Sequence, residues 1–320
     1  MSRPRVTLFV LAYRQEAQVA AAIEGAFAQD GSPLGAPLEI LLSDDASPDG
    51  TYRVMQAMAA AYAGPHRVRL NRNPRNLGLI GHLNRVMELA SGDLLVQNAG
   101  DDVSRPDRVA RLAAAWAADP SVRAVHSAVR RIDAAGRAVP SGGDRPPMAD
   151  VGAAEVIADS RPGRRRHLIG ASLAWDRRLW EAFGPLPAAA LVEDRPIAFR
   201  AALTGRIAWL DAPLLDYREG GASDGAGASP RAFDLRMARW QRSFQQAYLA
   251  DLERADPAVA AALRPLAAAE LARLDFEVGL AEAGPAGRIA RIPQAVGLAL
   301  ARRDPGPLRT QLRALLRPNP

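Results

Sequence analysis

The chain has 320 residues, 48% of them apolar, with 41 basic residues against 35 acidic ones and a formal charge of +6. It holds no cysteine, which excludes a disulfide framework and a thiolate metal site. Every basic residue is arginine, and these arginines are scattered and not interleaved with aromatics, so nucleic-acid binding is not expected.

The N-terminal "MSRPRVTLFVLAYRQE" places basic residues before a short apolar run and so imitates a signal peptide. The run ends in Tyr-Arg-Gln-Glu without a small-residue cleavage pattern, and it reads as a first strand. No apolar stretch approaches the roughly 20 residues that span a bilayer; a cytoplasmic protein is expected. In chain order, apolar runs at Val6–Ala12, Leu38–Ser43, Val68–Leu70, Leu94–Asn98 and Val122–Val129 predict strands. Helical patterns separate them at about Ala17–Gln29, Pro48–Tyr62, Gly81–Leu89 and Pro106–Ala118. Such alternation predicts βαβ units and a mainly parallel sheet with helices on both faces. Ligands of such sheets bind outside the C-terminal ends of the strands.

Residues 134–166 break the rhythm with "AAGRAVPSGGDRPPMAD" and "SRPGRRR". They predict either a mobile loop flanking a site or a long surface connection. Helical patterns follow at Arg177–Phe183 and Arg195–Leu203, then a strand at Arg206–Leu210. "YREGGASDGAGASP" (217–230) reads as a second flexible segment, and residues 231–316 as helices separated by Pro and Gly. Neither a GxGxxG nor a GxxxxGK[ST] phosphate loop is present.

Two predicted strands end in adjacent carboxylates. In "EILLSDDASPDGTYRV", Ser47 and Pro48 suit the N-cap and first position of a helix, which leaves Asp44 and Asp45 unexplained. In "NAGDDVSRPDRV", Ser104 and Asp107 resemble a capping box, with Pro106 in the first turn, so capping does not need Asp101 and Asp102. Paired carboxylates repel, and a divalent cation taking oxygen ligands, Mg²⁺ or Mn²⁺, would relieve the repulsion. A solvated turn is the plain alternative. Between the pairs, Asn76, Gly78 and Gly81 form a turn before a helix. Backbone N–H groups there, with Arg72 or Arg75, can meet a phosphate; a plain loop into a helix stays open. His82 starts that helix and is either a ligand contact or structural. His66, His126 and His167 show no metal-ligand spacing and read as structural. Further on, "VEDRPIAFRAALTG" sets Glu193 and Asp194 at a helix start with Arg200 two turns in. The helix dipole alone favours acids there, and the functional alternative is a general base.

Together these pieces resemble a family-2 glycosyltransferase of the GT-A fold over about residues 5–220. The resemblance rests on "VTLFVLAYRQEAQVAAAIEGAFAQ", "LEILLSDDASPDGT", "NLGLIGHLNRVMELASGDLLVQNAGDD", "RPDRV" and "VEDRPIAFRAALTG" in that order. It implies an α/β, Rossmann-like, mainly parallel sheet flanked by helices, with a GT-A domain over 1–225 and a C-terminal helical region over 226–320. It implies a UDP-, dTDP- or GDP-linked sugar donor. Tyr13 and its neighbours Ala12 and Glu16 would line the base, Asp45 would bond it with Asp44 alongside, and Asn76 and Gly78 would face the donor. Asp101 would lie near the ribose or sugar and share the metal edge with Asp102, the ligand of Mg²⁺ or Mn²⁺. Of Glu193 and Asp194, Asp194 is favoured as the base that activates a hydroxyl on a glycan or lipid-linked acceptor. The displacement would invert the anomeric carbon, in cell-surface polysaccharide or glycoconjugate biosynthesis.

Some positions depart from the family pattern. Ala99 stands where the Asp-x-Asp signature often begins, Arg14 where Asn is usual, and Leu11-Ala12 where Pro-Thr is usual. Glu219 follows "YR" where a His is often found. The Gln-x-x-Arg-Trp signature of processive members is absent, so single-sugar transfer is expected. A nucleotidyltransferase is a weaker alternative, because "LAYRQEAQ" lacks the glycines of its first loop. An inactive sugar-nucleotide-binding module is motivated by Ala99 and opposed by the intact Glu193-Asp194 pair. The basic C-terminal segment is read either as a packing or dimerisation element or as a contact with an anionic membrane. Trp175, Trp180 and Trp209 read as core residues, with sugar stacking as the alternative.

Overall fold

The computed structural model describes residues 4–140, 145–161, 165–220, 230–283 and 289–302. It divides into two compact units, Met1–Ala226 and Gly227–Pro320.

The first unit opens with strand β1 (Val6–Ala12), helix α1 (Val19–Phe27), β2 (Glu39–Asp44), α2 (Thr51–Ala61), β3 (Arg67–Arg72), α3 (Gly78–Leu89) and β4 (Leu94–Ala99). It continues with β5 (Val103–Ser104), α4 (Arg108–Ala118), β6 (Val122–Ile132), α5 (Ala153–Ala158), β7 (Ala174–Asp176), α6 (Arg178–Phe183), α7 (Asp194–Thr204) and β8 (Arg206–Arg218). The eight strands form one sheet in the order β3-β2-β1-β4-β7-β6-β8-β5. The pairs β3/β2, β2/β1, β1/β4 and β6/β8 are parallel, and the pairs involving β7 and β5 are antiparallel. Six strands therefore run one way, as expected for a mainly parallel sheet. Every residue of β1 is buried, and so are five of the six in β2 and in β4. Helices on both faces require this, which is why these strands read as unbroken apolar runs. At the open edge, β3 carries Arg67, Arg69 and Arg72, charges that protect an unpaired edge.

Several expectations are corrected. The strand predicted over Arg206–Leu210 runs on to Arg218, through register shifts against β6 that accommodate Pro213. The Gly/Pro-rich stretch 134–166 is not all loop: it contains α5, with Val156 and Ile157 buried beside Met148 and Val151. Its residues 141–144 and 162–164 lie outside the described residues, as do 221–229 of the segment read as flexible. Neither predicted cap forms. Helix α2 begins at Thr51 and α4 at Arg108, while Ser104 belongs to a strand.

The second unit holds α8 (Pro230–Asp251), α9 (Pro257–Glu282) and α10 (Ile292–Arg302). Asp256 caps α9, accepting from the N–H groups of Ala258 (2.9 Å) and Val259 (3.2 Å), with Pro257 in the first turn. Helices α8 and α9 are joined by ion pairs of Arg239 with Glu282 (2.6 Å) and of Arg242 with Asp275. The rest of the basic C-terminal segment, 303–320, lies outside the described residues. Among those described, no helix is long and apolar enough to cross a membrane.

Candidate functional site

The C-terminal ends of the parallel strands converge. Ala12 is level with Asp44 on one side, and Leu11 with Ala99 on the other. The Asp45 N–H donates to the Ala12 carbonyl (3.0 Å) and the Gly100 N–H to that of Leu11 (2.8 Å). A side chain at Gly100 would put its Cβ 2.5 Å from Gln15 Oε1 and 2.8 Å from Ala12 Cβ, so only glycine passes there. Arg14 and Ala46 adopt left-handed φ values of 57° and 58°, strained for non-glycine residues. The two loops hold each other in this shape. Arg14 N–H donates to Ser47 Oγ (3.0 Å), and Gln15 N–H to Thr51 Oγ1 (2.9 Å). Ser47 is thus spent on the first loop, which is why it does not cap α2. Glu16 accepts from the Gly50 N–H (2.8 Å) and from Arg53 (3.1 Å) and fastens the same pair of loops. Tyr13 projects from them, 41% exposed.

Asp44 and Asp45 are both buried and play different parts. Asp44 Oδ2 accepts from the Ser47 N–H (3.0 Å) and pairs with Arg72 (3.3 Å), while its Oδ1 has no hydrogen-bond partner. Arg72 also lies over the Tyr52 ring and donates to the Ser47 carbonyl (3.0 Å). Asp45 Oδ1 accepts from Asn73 Nδ2 (2.8 Å) and from the Leu77 N–H (2.9 Å). Behind it run bonds from Asn71 Nδ2 to Asn73 Oδ1 (3.0 Å) and to Ser43 Oγ (2.9 Å), and His82 Nε2 meets Ser43 Oγ at 2.7 Å. Burial holds the His82 imidazole down at about 4, against the upward pull of Asp45 and Asp44. His82 therefore acts as a neutral support for the strand end. Asn76 accepts from the Gly78 N–H (2.9 Å), and Gly78 takes a φ of 71°; both residues are exposed at the head of α3.

Asp102 is buried on the other side. Its Oδ1 accepts from the Arg218 N–H (2.8 Å), and its Oδ2 has no hydrogen-bond partner. Burial, and next the charge of Asp101, push its carboxyl well above the usual range, with Arg218 and Arg108 opposing. Arg218 further binds the carbonyls of Asp101 (3.0 Å) and Asp133 (2.8 Å). Beneath them lies Arg108, fully buried. It donates to Asn98 Oδ1 (3.0 Å), Ser104 Oγ (2.7 Å), the Gln97 carbonyl (2.7 Å) and the Ala171 carbonyl (2.6 Å). These bonds explain why Ser104 does not cap α4.

The third group of acids enters through α7. Glu193 is buried and accepts from Gln97 Nε2 at 2.5 Å, so a side chain of β4 grips it directly. Gly170 makes room for it, because a Cβ there would come within 2.0 Å of Glu193 Oε1. Burial, then the charge of Asp194, push the Glu193 carboxyl up to about 7. Asp194 begins α7, is partly exposed, and accepts from the Arg195 N–H (2.6 Å). Burial also raises its carboxyl, while Arg195 and Arg165 pull it back. A sign follows for stability. Unfolded Glu193 loses its proton near 4.5 and native Glu193 near 7, so its contribution is full below pH 4.5 and fades as pH rises to about 7. Urea unfolding of Glu193→Gln across pH 4–8 is expected to lack this share of the decline; a slope equal to the wild type's would refute it.

The expected residues Ala12, Tyr13, Glu16, Asp44, Asp45, Asp101, Asp102, Glu193 and Asp194 thus gather at one sheet edge, with Asn76 and Gly78 beside Asp45. Gln97, Arg108, Gly170 and Arg218 escaped the sequence reading. Gln97 lies in the stretch "NLGLIGHLNRVMELASGDLLVQNAGDD", Arg108 in "RPDRV" and Arg218 in "YREGGASDGAGASP", but none carries a local signal of its partner. Among the described residues no group of three His, Cys, Asp or Glu side chains could hold a metal by itself. Asp102 fits a shared site, since it offers one unpartnered buried carboxylate oxygen of the hard kind that Mg²⁺ or Mn²⁺ takes. Trp175 is core, edge-on to Phe9 at 5.6 Å, and Trp209 packs on His126 (4.6 Å) and His167 (5.8 Å). Trp180 lies beside the Arg200 guanidinium at 5.4 Å.

Residues 7–160 match the model of glycosyl transferase family 2. EpsE of Bacillus subtilis (strain 168) is 35% identical over 108 residues, 34% of this chain and 37% of that protein. The succinoglycan biosynthesis protein ExoO of Rhizobium meliloti (strain 1021) is 38% identical over 109 residues, 34% of this chain and 29% of that protein. The matches thus span about a third of these relatives' lengths. The crystal structure of S. aureus TarS 1-349 in complex with UDP-GlcNAc superimposes with a TM-score of 0.57 at 13% identity, over 97% of this chain and 89% of that one. The mannosyltransferase PcManGT from Pyrobaculum calidifontis, in complex with GDP-Man and Mn²⁺, superimposes with a TM-score of 0.53 at 20% identity, over 98% and 86%. At such identities the likeness is one of fold, the GT-A fold.

Proposed function

From the premise that residues 7–160 make this chain a member of glycosyl transferase family 2, we propose that it moves one sugar from a nucleotide-diphosphate donor to a hydroxyl acceptor, with inversion. The observation that carries this reading is the convergence at one strand edge of two different acidic centres. Asp102 has a buried, unpartnered oxygen, and Glu193-Asp194 is tied to the same strand, β4, through Gln97. On this reading Tyr13, Ala12 and the loop fastened by Glu16 line the base. Asp45 binds it with the oxygen not engaged by Asn73 and Leu77, and Asp44 holds Arg72 and the second loop in place. Asn76 and Gly78 present the head of α3 to the donor, and Asp101 faces the ribose or sugar. Asp102, with Asp101 beside it, would hold the divalent metal, which when bound would supply Lewis acidity to offset charge on the departing diphosphate. Asp194 accepts the proton of the attacking hydroxyl, and the glycosidic bond to the diphosphate breaks as the new one forms. No covalent enzyme intermediate is required.

The relatives support a role in polysaccharide biosynthesis. Two of them are a succinoglycan biosynthesis protein and a chondroitin synthase of Escherichia coli. Structural neighbours are complexes with UDP, UDP-GlcNAc or GDP-Man, two of them with Mn²⁺, which supports a nucleotide-sugar donor and a manganese or magnesium ion. The test is release of nucleoside diphosphate from UDP-, GDP- and dTDP-sugars by the full chain with Mn²⁺ or Mg²⁺. One donor class should turn over slowly by hydrolysis. EDTA, or Asp102→Asn with the Arg218 bond preserved, should lower that rate at least tenfold. Tight nucleotide binding without turnover of any donor would leave a binding module instead, the reading that Ala99 favours.

A further inference from the structure

We propose that the acceptor carries an anionic group, a phosphate or a carboxylate, beside its reacting hydroxyl, and that Arg145 and Arg165 hold this group next to Asp194. The proposal deepens the reading of Asp194 as the acceptor base and rests on it.

The scaffold around these arginines is built from short-range bonds. Asp159, at the end of α5, accepts from the Arg166 N–H (2.6 Å) and lies 2.6 Å from the Arg195 guanidinium. Arg195 in turn donates to the Arg166 carbonyl (2.8 Å). The segment 165–167 is thereby fastened to the first turn of α7, one residue beyond Asp194. A second segment lies against it: His167 N–H donates to the Pro146 carbonyl (2.7 Å) and Met148 N–H to the His167 carbonyl (3.0 Å). Two rings packed on Trp209, His126 tilted and His167 edge-on, anchor this pair of segments. Arg145 and Arg165 flank it on adjacent strands of chain.

Two guanidinium groups there have no ion-pair partner among the described residues, although the nearby acids Asp159, Glu155 and Glu219 each have one. Asp159 is taken by Arg195, and Glu219 by Arg131 at 2.7 Å. Neither Arg145 nor Arg165 forms an ion pair with a described residue, yet Arg165 is half-buried. Its guanidinium is pushed down by burial and then by Arg195 and Arg145, with Asp159 and Asp194 opposing. The same field reaches His167, lowered by burial and then by Arg131, Arg195 and Arg145. Guanidinium groups crowded in this way repel one another, and an anion held in their forks would offset the repulsion. On the proposed function the donor's diphosphate belongs instead at Asp102, where the arginine in direct contact is Arg218, whose N–H donates to Asp102 Oδ1 (2.8 Å).

Calorimetric titration of the full chain tests this, with UDP, GDP or dTDP present at saturation. The probes are sn-glycerol 3-phosphate, D-glucuronate and neutral glycerol. At least one of the two anions should bind while glycerol does not, and the preferred anion tells a phosphorylated acceptor from a uronate-bearing one. Arg145→Gln/Arg165→Gln should weaken that binding at least tenfold and leave nucleoside diphosphate affinity within twofold. Arg145→Gln alone, at an exposed position, should weaken it severalfold even if the double variant fails to fold. Unchanged anion binding in the variants, or no preference over glycerol, would overturn the proposal. A fall in nucleotide affinity would overturn it too, by assigning the arginines to the donor. A wild-type chain that binds no nucleoside diphosphate at all would instead remove the transferase reading beneath it.

Discussion

Asp194→Asn is expected to lower the rate of sugar transfer by roughly 10²–10⁴-fold, the usual share of a positioned general base, and to leave nucleotide affinity unchanged. Asparagine keeps the volume and can still accept from the Arg195 N–H, so the loss isolates proton transfer. The choice between the two neighbouring acids is physical. Glu193 is buried, gripped by Gln97 at 2.5 Å and crowded against Gly170, which denies it the reach to an incoming hydroxyl. Burial holds its proton on to about 7, so near neutrality much of it is uncharged. Asp194 is partly exposed and keeps one oxygen clear of the Arg195 bond. Burial raises its affinity for a proton while Arg195 and Arg165 keep it from rising freely, a balance suited to taking a proton and giving it up. Initial rates with a turned-over donor, set beside nucleotide titrations, decide the matter. Near-normal transfer by Asp194→Asn, with loss in Glu193→Gln, would move the base to Glu193.

The sequence disclosed the parallel half of the sheet because buried parallel strands are continuous apolar runs, as in Val6–Ala12 and Leu94–Asn98. It also marked the carboxylates, since Asp44-Asp45 and Asp101-Asp102 follow such runs where nothing local needs them. What stayed hidden was set by distant partners. Strands β5 and β7 have two and three residues, too few to carry a pattern, and exist because β8, β4 and β6 pair with them. Ser104 looks like a helix cap, but Asn98 and Arg108 take its hydroxyl. Gln97 sits in an apolar run as an anomaly whose reason, Glu193, lies 96 residues away. Arg218 follows a strand predicted to end at Leu210, so its bond to Asp102 had no position from which to be foreseen. Local propensity fixes the elements of such a site, and tertiary bonds decide which of their residues serve it.

Arg108 gives the second large effect. Replacing it with leucine is expected to destabilise the fold by about 3–5 kcal/mol, the range for removing one partner from a buried ionic network. Four acceptors would lose their donor together: Asn98 Oδ1, Ser104 Oγ and the carbonyls of Gln97 and Ala171. All lie where water cannot readily replace it. Burial pushes the guanidinium down only to about 10, with Asp102 pulling it up, so a full positive charge lies under the Asp101-Asp102 pair at neutral pH. Its removal would leave buried Asp102 with less opposing charge and so raise that carboxyl further. The clamp also spans the two halves of the proposed chemistry. It binds the backbone of β4 at Gln97, whose side chain grips Glu193, and the turn at Ala171, next to the Gly170 that makes room for Glu193. Arg108→Lys keeps the charge but brings one ammonium to a four-acceptor site, and should fall between wild type and leucine. Urea unfolding of the three proteins measures the order. Equal stability of Arg108→Leu and wild type would mean that the four bonds are replaced at no cost and that Arg108 is no clamp. In the lysine variant, which retains the charge beside Asp102, transfer should fall further than donor binding, because the strand end that carries Asp102 and Gln97 is loosened while the loops proposed to bind the base are untouched.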